Sequence, residues 1–170
     1  MPDVRIWLAG LMGSGKSTLG RALARHLGCA YVDNDATIEH LAGRSTVDLA
    51  RAGDGVLHDW ESRYVRHLTD LSAPVVAGIP ASTADRPADL ALLRTSGLLI
   101  YLRCDIDTLV DRISADPPRP WVGHNTRDLL TAMLATREPA FTATADLVVD
   151  ATVATSISLA QITGMPRVSG

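Results

Sequence analysis

The sequence predicts an α/β protein with a three-layer α/β/α fold, a mostly or wholly parallel five-stranded sheet and a lid loop. Short apolar runs of strand length alternate along the chain with stretches that carry apolar residues at helical spacing. The runs are apolar almost throughout, which is typical of parallel strands that helices cover on both faces. The first run also leads directly into a glycine-rich loop and then a helix, an arrangement common in parallel α/β folds.

The first strand and helix have the clearest sequence signals. Val4–Ala9 is a nearly continuous apolar run that stops at Gly10. Residues 16–27 are predicted as an amphipathic helix that ends before Gly28. Its leucines recur at every fourth position: Leu19, Leu23 and Leu27. A short second strand is predicted at residues 30–33.

Three helical stretches follow the second strand. Asp35 has the residue type of an N-cap and is predicted to cap the first of them. Ser45 and Asp48 have the spacing of a capping box, with Asp in place of Glu or Gln, and open the second. Residues 55–71 form the third, with an apolar face made by Leu57, Trp60, Tyr64 and Leu68.

The second half of the chain continues the alternation of strands and helices. Buried strands are predicted at 74–78, 98–102 and 146–150. One helix is predicted at 87–95, and a second is capped by Asp105 and runs through Ile113. A further helix begins near Arg127, and Pro139 is expected to end or kink it. The polar tail after the last strand is weakly helical.

Between these helices lies a segment that is predicted to be a loop. Residues 116–125 contain three prolines and a glycine, which disfavour a helix or a strand. We expect this loop to form a lid at approximately 114–126. The whole chain, 1–170, has the length of one domain, and no internal repeat or linker divides it.

Composition narrows the possible functions. The formal net charge of −3 argues against a general nucleic-acid binder or a protein of acidic membranes. Cys29 and Cys104 lack metal-ligand spacing and are expected to be reduced, buried side chains. The first apolar run is too short for a signal peptide, and no run reaches transmembrane length. We therefore expect a cytoplasmic protein without nucleic-acid or membrane partners, and the lack of an obvious apolar seam favours a monomer.

Residues 10–17 (GLMGSGKS) satisfy the phosphate-binding pattern G-x-x-x-x-G-K-[ST], between a predicted strand and a predicted helix. Glycines let successive N–H groups point at phosphate oxygens, and the helix adds its unpaired N-terminal donors. The pattern predicts that Lys16 contacts the β- and γ-phosphates of ATP and that Ser17 ligates Mg²⁺. The expected nucleotide-binding residues are Met12, Gly13, Ser14, Gly15, Lys16, Ser17 and Thr18. The alternative is a glycine-rich turn that binds nothing.

Lys16 is the only lysine of the chain, which otherwise uses fifteen arginines as its cations. A compact ammonium reaches between phosphate oxygens, whereas a guanidinium is too large and planar to do so. The placement of the single lysine therefore favours a nucleoside triphosphate site over a structural turn.

The order of the motifs resembles that of shikimate kinases, which are small members of the nucleoside monophosphate kinase-like group. The resemblance covers nearly the whole chain and is carried by four segments: GLMGSGKSTLGRALA at 10–24, YVDNDATIEHLAGRS at 31–45, the Arg-Pro at 119–120, and ATREPAF at 135–141. It implies ATP- and Mg²⁺-dependent phosphorylation of a ring hydroxyl on a small carboxylated alcohol, a step of aromatic amino acid biosynthesis.

The resemblance also implies roles for individual residues. Asp33 matches the residue that holds Mg²⁺ through water, and Asp35 matches the one that binds the acceptor hydroxyl and accepts its proton. Arg119 matches the lid arginine that closes over the transferred phosphoryl group, which makes it catalytic together with Lys16 and Asp35. For the two aspartates the alternative is helix capping, and for Arg119 it is a solvated loop arginine.

Two further arginines match family positions. Arg112 corresponds to a residue that packs on the adenine base, although an exposed helix arginine has the same sequence signal. Arg137 corresponds to the arginine that binds the substrate carboxylate, for which a guanidinium fork is well suited. Its alternative is a helix-surface charge paired with an acidic neighbour.

The chain departs from the family pattern at two substrate-binding positions. The family has three glycines after its third strand, with their backbones against the substrate, where this chain has Gly78, Ile79 and Pro80. Ile79 adds a branched side chain where close approach is expected, and Pro80 has no N–H to donate. His58 stands where the family has an arginine that shares the carboxylate with Arg137, and a neutral histidine makes no such forked contact.

Three functions are compatible with this pattern. The first is a shikimate kinase with an unusual acceptor pocket, and the second is a kinase of the same build that acts on another polyol or cyclitol. The third is a nucleotide-binding protein that has lost catalysis and serves as a regulatory module. The presence of Asp35 and Arg119 argues against the third, because a protein that only binds nucleotide has no use for either.

Overall fold

The computed structural model of the chain describes residues 4–115 and 125–168. Within these residues the strands are β1 (Arg5–Ala9), β2 (Ala30–Val32), β3 (Val75–Gly78), β4 (Leu98–Arg103) and β5 (Leu147–Asp150). The helices are α1 (Lys16–Leu27), α2 (Asn34–Ala42), α3 (Thr46–Arg51), α4 (Asp54–Asp70), α5 (Pro87–Ser96), α6 (Ile106–Ala115), α7 (Thr126–Thr144) and α8 (Thr155–Thr163). A short 3₁₀ helix, Ala81–Asp85, lies between β3 and α5.

The five strands form one sheet in the order β2-β3-β1-β4-β5, and each neighbouring pair is parallel. The predicted parallel sheet is therefore confirmed. β1 lies at its centre, between β3 and β4. The chain places β2 and β3 on one side of β1 and then crosses to the other side for β4 and β5. Ligands of open α/β sheets bind beyond the carboxyl ends of the strands at such a switch point.

The core consists of two apolar layers, one on each face of the sheet. Alternate residues of β1 point to opposite faces: Ile6 and Leu8 join one layer, whereas Trp7 and Ala9 join the other. The first layer is completed by α1, α6, α8 and the start of α7. The second is completed by α2 to α5 and the end of α7. This is the three-layer arrangement that the sequence predicts.

Helix caps explain several element boundaries. The Ser45 hydroxyl accepts a 3.0 Å hydrogen bond from the Asp48 N–H at the start of α3, so the predicted capping box is confirmed. Asp105 accepts from the Thr108 N–H at 2.8 Å and opens α6, also as predicted. The predicted cap at Asp35 is wrong. Asp33 caps α2 instead by accepting from the Ala36 N–H at 3.3 Å, which places Asp35 in the first turn.

The sequence predicts that Pro139 ends or kinks helix α7. The helix does not end there but continues to Thr144. The residue that follows, Ala145, is extended and donates its N–H to the Phe141 carbonyl at 2.8 Å. Phe141 is 1% exposed and stacks on Tyr101 of β4 at 5.4 Å between ring centroids. Burial of the last turn against the sheet thus stabilises the helix beyond the proline.

Both cysteines are free, as expected. Cys104 is buried, but Cys29 is only half-buried, which differs from the prediction for that residue. Burial raises the pKa of both thiols, so they remain protonated at neutral pH. Among the helices that the structure describes, none has the length and apolarity needed to cross a bilayer.

Candidate active site

A cleft of about 940 Å³ opens beyond the carboxyl ends of β1, β2 and β3. Most of the residues singled out in the sequence line it: Met12, Gly13, Ser14, Gly15, Lys16, Ser17, Thr18, Asp33, Asp35, His58, Arg112 and Arg137. Gly78 and Ile79 do not belong to its lining. Arg119 and the greater part of the expected lid lie outside the described residues. The phosphate-binding loop of residues 10–17 (the P-loop) therefore shares one cavity with Asp35, His58 and Arg137, three of the positions expected to bind an acceptor.

The loop between β1 and α1 needs glycine at two positions in particular. Gly15 has φ of 90° immediately before α1, and Gly13 has φ of 78°. Residues with a side chain rarely adopt this left-handed conformation. A Cβ on Gly13 would also lie 3.1 Å from the Ile113 side chain of α6. The glycine spacing thus produces the backbone curl that turns N–H groups towards the cleft.

Lys16 and Ser14 give the loop its polar interior. The Lys16 ammonium donates to the carbonyl oxygens of Gly10 and Leu11 at 2.7 and 3.0 Å, which holds it over the loop. Ser14 is 2% exposed, and within residues 4–115 and 125–168 its hydroxyl has no hydrogen-bond partner. A buried hydroxyl without a partner is costly unless a ligand supplies one. An ammonium and an unpaired donor in the same loop fit the oxygens of a phosphate chain.

The two predicted metal residues are in direct contact. The Ser17 hydroxyl donates a 3.1 Å hydrogen bond to the Asp33 carboxylate. The Tyr31 hydroxyl lies 3.5 Å from the same Ser17 oxygen, and burial raises the pKa of this phenol, so it remains a donor. Among the described residues, no group of three or more His, Cys, Asp or Glu side chains is arranged for a metal ion. One hydroxyl and one carboxylate suit Mg²⁺, which takes its other ligands from phosphate and water.

Asp35 lies at the mouth of the cleft, in the first turn of α2. Its side chain is exposed, and its Oδ1 accepts a 2.8 Å hydrogen bond from the Asn34 amide. Asp33, two residues earlier, is the N-cap of the same helix, and both aspartates line the cavity. The helix N-terminus favours the ionised form of a carboxylate in its first turn.

Arg112 of α6 lines the cleft and contacts two other parts of the chain. One terminal nitrogen donates to the Gly13 carbonyl at 3.3 Å, and the other donates to the Ala151 carbonyl at 2.8 Å. The guanidinium therefore ties the P-loop to the segment after β5. A planar cation fixed in this way offers a surface on which a base can stack.

The wall formed by α4 and the 3₁₀ helix contains a buried polar network centred on Glu61, which is 8% exposed. Its Oε2 accepts from the Ser82 hydroxyl at 2.6 Å and from Arg86 at 3.2 Å. Arg86 also donates to Asp89 at 2.7 Å. His58 lies one helical turn before Glu61, with 4.0 Å between its Nε2 and the same carboxylate oxygen.

Arg137 projects into the cleft from α7, on the side of the 3₁₀ helix. Its Nε and Nη2 both donate to Oδ2 of Asp85, at 3.0 and 2.8 Å. The arginine is thus paired with an acidic residue from another element, whereas its chain neighbour Glu138 pairs with Arg103 at 2.7 Å.

The segment that replaces the three family glycines is held by the core. Tyr64 donates to the Gly78 carbonyl at 2.6 Å, and the Ile79 N–H donates to the Leu8 carbonyl at 2.9 Å. The Ile79 side chain is fully buried in the second apolar layer, so it does not protrude towards an acceptor as the sequence suggested. Pro80, the next residue, does line the cleft.

Sequence analysis missed three residues of the cleft region. Glu61 lies three residues after His58, and this helical spacing could have placed it on the same face. Tyr31 precedes Asp33 by two residues, a strand spacing that gives both side chains the same direction. Asp85 is 52 positions from Arg137, and no local pattern connects the two.

Comparisons with known proteins agree on one family. A family model described as shikimate kinase matches residues 12–164. The shikimate kinase of Geobacter sulfurreducens is 37% identical over 145 residues, which cover 84% of this chain and 79% of that protein. The shikimate kinase of Thiobacillus denitrificans is 36% identical over 147 residues, with 85% and 80% covered.

A solved structure extends the likeness to three dimensions. Shikimate kinase from Acinetobacter baumannii, determined in complex with shikimate, aligns with a TM-score of 0.84 at 26% identity. The alignment covers 94% of this chain and 89% of that one. The chain thus has the P-loop kinase fold of this solved structure.

Proposed function

The chain belongs to the shikimate kinase family, and from this premise we propose that it transfers the γ-phosphate of ATP to a ring hydroxyl of shikimate or a closely related cyclic polyol. The observation that carries the proposal is the contact between Ser17 and Asp33 at 3.1 Å, in the same cleft as Lys16 and Asp35. These side chains combine phosphate binding, a Mg²⁺ site and a base for an alcohol.

In the proposed reaction the P-loop holds the triphosphate. Backbone N–H groups and the Ser14 hydroxyl face the phosphate oxygens, and the Lys16 ammonium exchanges its carbonyl partners for the β- and γ-phosphates. Ser17 and Asp33 would hold Mg²⁺, which when bound neutralises charge that develops on the phosphate oxygens. The adenine base of ATP would stack on the Arg112 guanidinium, which is fixed by its hydrogen bonds to the carbonyls of Gly13 and Ala151.

Asp35 is proposed to orient the acceptor. Its carboxylate accepts a hydrogen bond from the reacting hydroxyl and takes its proton as the oxygen attacks the γ-phosphorus. Transfer breaks the bond between the γ-phosphorus and the β–γ bridging oxygen, so that ADP leaves with the electron pair. We propose that Arg119 contributes positive charge to the transferred group from the lid.

The acceptor is proposed to bind between Asp35, His58 and Arg137. Arg137 supplies the charge for a carboxylate, and His58 supplies a hydrogen-bonding imidazole where the family has a second arginine. We propose that the protein acts as a monomer, since its sequence has no obvious apolar seam for self-association.

The direct test is ADP release with Mg²⁺ and ATP in the presence of shikimate, quinate and a panel of cyclitols and linear polyols. We expect turnover with shikimate and a phosphorylated product detectable by mass spectrometry. If no acceptor stimulates ADP release, the proposal is contradicted. A strong preference for a cyclitol would identify the acceptor as that cyclitol and not as shikimate.

A further inference from the structure

Arg137 lines the cleft and forms an ion pair with Asp85, which lies beside the cleft but is not part of its lining. Two nitrogens of the guanidinium, Nε and Nη2, converge on one carboxylate oxygen at 3.0 and 2.8 Å. The Arg137 side chain is 16% exposed and that of Asp85 is 42% exposed. The arginine is thus largely enclosed, whereas its partner stands at the rim.

This pairing changes what Arg137 offers to a ligand. The Nε–Nη2 edge is one of the edges through which a guanidinium binds a carboxylate in a forked geometry, and Asp85 occupies it. A carboxylated acceptor that contacts the same guanidinium also approaches the negative charge of Asp85. Like charges that share one site repel each other, so the acceptor either displaces Asp85 or binds beside it at a cost.

Arg86 of the neighbouring wall does not supply a second guanidinium to the acceptor, because it does not line the cleft. Arg86 is engaged by both Glu61 and Asp89, at 3.2 and 2.7 Å. Glu61 of this wall lines the cleft, as does Asp35 of α2, and these carboxylates tolerate a neutral polyol better than an acid. An uncharged acceptor can accept a hydrogen bond from the remaining Nη1 without displacing the pair.

We propose that Asp85 is a specificity-determining residue, which competes with the acceptor's carboxylate for Arg137 and shifts selection towards neutral polyols. The inference rests on the proposed function, because it requires that Arg137 faces the acceptor. Asp85 acts through Arg137 and sets how much a carboxylate on the acceptor contributes to binding.

The test compares the unmodified protein with Asp85→Asn, which keeps the shape and an oxygen for Arg137 but removes the charge. Asp107→Asn is the matched control. Asp107 of α6 pairs at 2.7 Å with Arg127 of α7, the helix that also carries Arg137. Neither Asp107 nor Arg127 lines the cleft. Kinetics are measured with shikimate and with its neutral methyl ester.

We expect Asp85→Asn to lower KM for shikimate about three- to tenfold at unchanged kcat, the effect of removing a partly exposed competing charge. KM for the methyl ester should stay the same, and Asp107→Asn should change neither value. An unchanged or higher KM for shikimate in Asp85→Asn overturns the proposal, because Asp85 would then only orient Arg137.

Equilibrium binding of shikimate by calorimetry separates this inference from the proposed reaction. If the unmodified protein binds shikimate without turnover, the proposed function fails, yet tighter binding by Asp85→Asn still supports the competition. Equal affinities overturn the competition alone. If none of the three proteins binds shikimate, both proposals are overturned.

Discussion

The Ser17 hydroxyl donates a hydrogen bond to the Asp33 carboxylate, with 3.1 Å between the two oxygens. The bond joins the start of α1 to the end of β2, two points that lie 16 residues apart in sequence. It brings together the only two side chains for which the sequence predicts a role at Mg²⁺. Asp33 also caps α2 through its second oxygen, so one carboxylate fixes a helix and faces the metal position.

Asp33→Asn should separate these two roles. Asparagine caps helices about as well as aspartate, so the unfolding temperature should change little. The lost charge should raise the Mg²⁺ concentration for half-maximal activity roughly ten- to hundredfold. Activity is titrated with Mg²⁺ at saturating ATP, with Asp48→Asn, a first-turn aspartate of α3 away from the cleft, as the control. An unaltered Mg²⁺ requirement would rule out a metal role for Asp33.

Lys16→Ala should remove the only ammonium of the cleft. Loss of a preorganised cation at the transferred phosphate should reduce kcat/KM by at least about a hundredfold. ATP affinity and ADP release are measured for this variant and for Arg25→Ala, which removes an exposed cation from the same helix outside the cleft. Full activity of Lys16→Ala would show that the nucleotide site is elsewhere.

The phosphate-binding half of the site could be predicted because its signals are local. Of the eight residues from Gly10 to Ser17, six line the cleft, and the other two, Gly10 and Leu11, are buried. Glycine conformation and the start of α1 fix their positions, and the spacing of the motif indicates both. The identity of the α2 cap could not be read with the same certainty. Asp33 and Asp35 are both good N-caps, and only the end of β2 decides which of them is extended.

The acceptor half depends on contacts between distant parts of the chain. Arg137 meets Asp85 because α7 packs against the 3₁₀ helix, a tertiary contact that sequence spacing does not encode. The position of Ile79 was predictable in principle. Successive residues of a strand point to opposite faces of the sheet. Val76 therefore joins the first apolar layer, and the second contains Val75, Ala77 and Ile79. The family glycines predict close approach to an acceptor at this position, whereas the alternation places the Ile79 side chain in the core.

Asp35→Asn should abolish phosphoryl transfer while ATP binding remains nearly unchanged. Asparagine retains an oxygen for the Asn34 amide but does not take up the acceptor's proton, so kcat should fall by about a hundredfold or more. Single-turnover kinetics are compared with nucleotide affinity measured without acceptor. A comparable loss of ATP affinity would assign Asp35 to the nucleotide instead.

His58→Arg should strengthen the use of shikimate. A second guanidinium near Arg137 adds a charge-assisted contact to the acceptor carboxylate, which is worth up to about tenfold in KM. Glu61, 4.0 Å from His58, will engage part of the new charge and limits the gain. Asp59→Asn, one position along α4 and exposed, is the matched control, because it also raises the net charge by one. If both variants lower KM equally, the effect is long-range attraction and not a contact at position 58.

Ile79→Ala should destabilise the protein without a selective effect on the acceptor. The Ile79 side chain is fully buried in the second apolar layer, so its truncation leaves a cavity and should cost about 2–4 kcal/mol in free energy of unfolding. Denaturant unfolding measures this cost, with Ile157→Ala, whose side chain is 51% exposed, as the control. KM for shikimate, measured well below the unfolding temperature, should stay unchanged. A lower KM at unaltered stability would mean that this side chain obstructs the acceptor, because only a residue that faces the cleft can relieve a steric block when it is shortened.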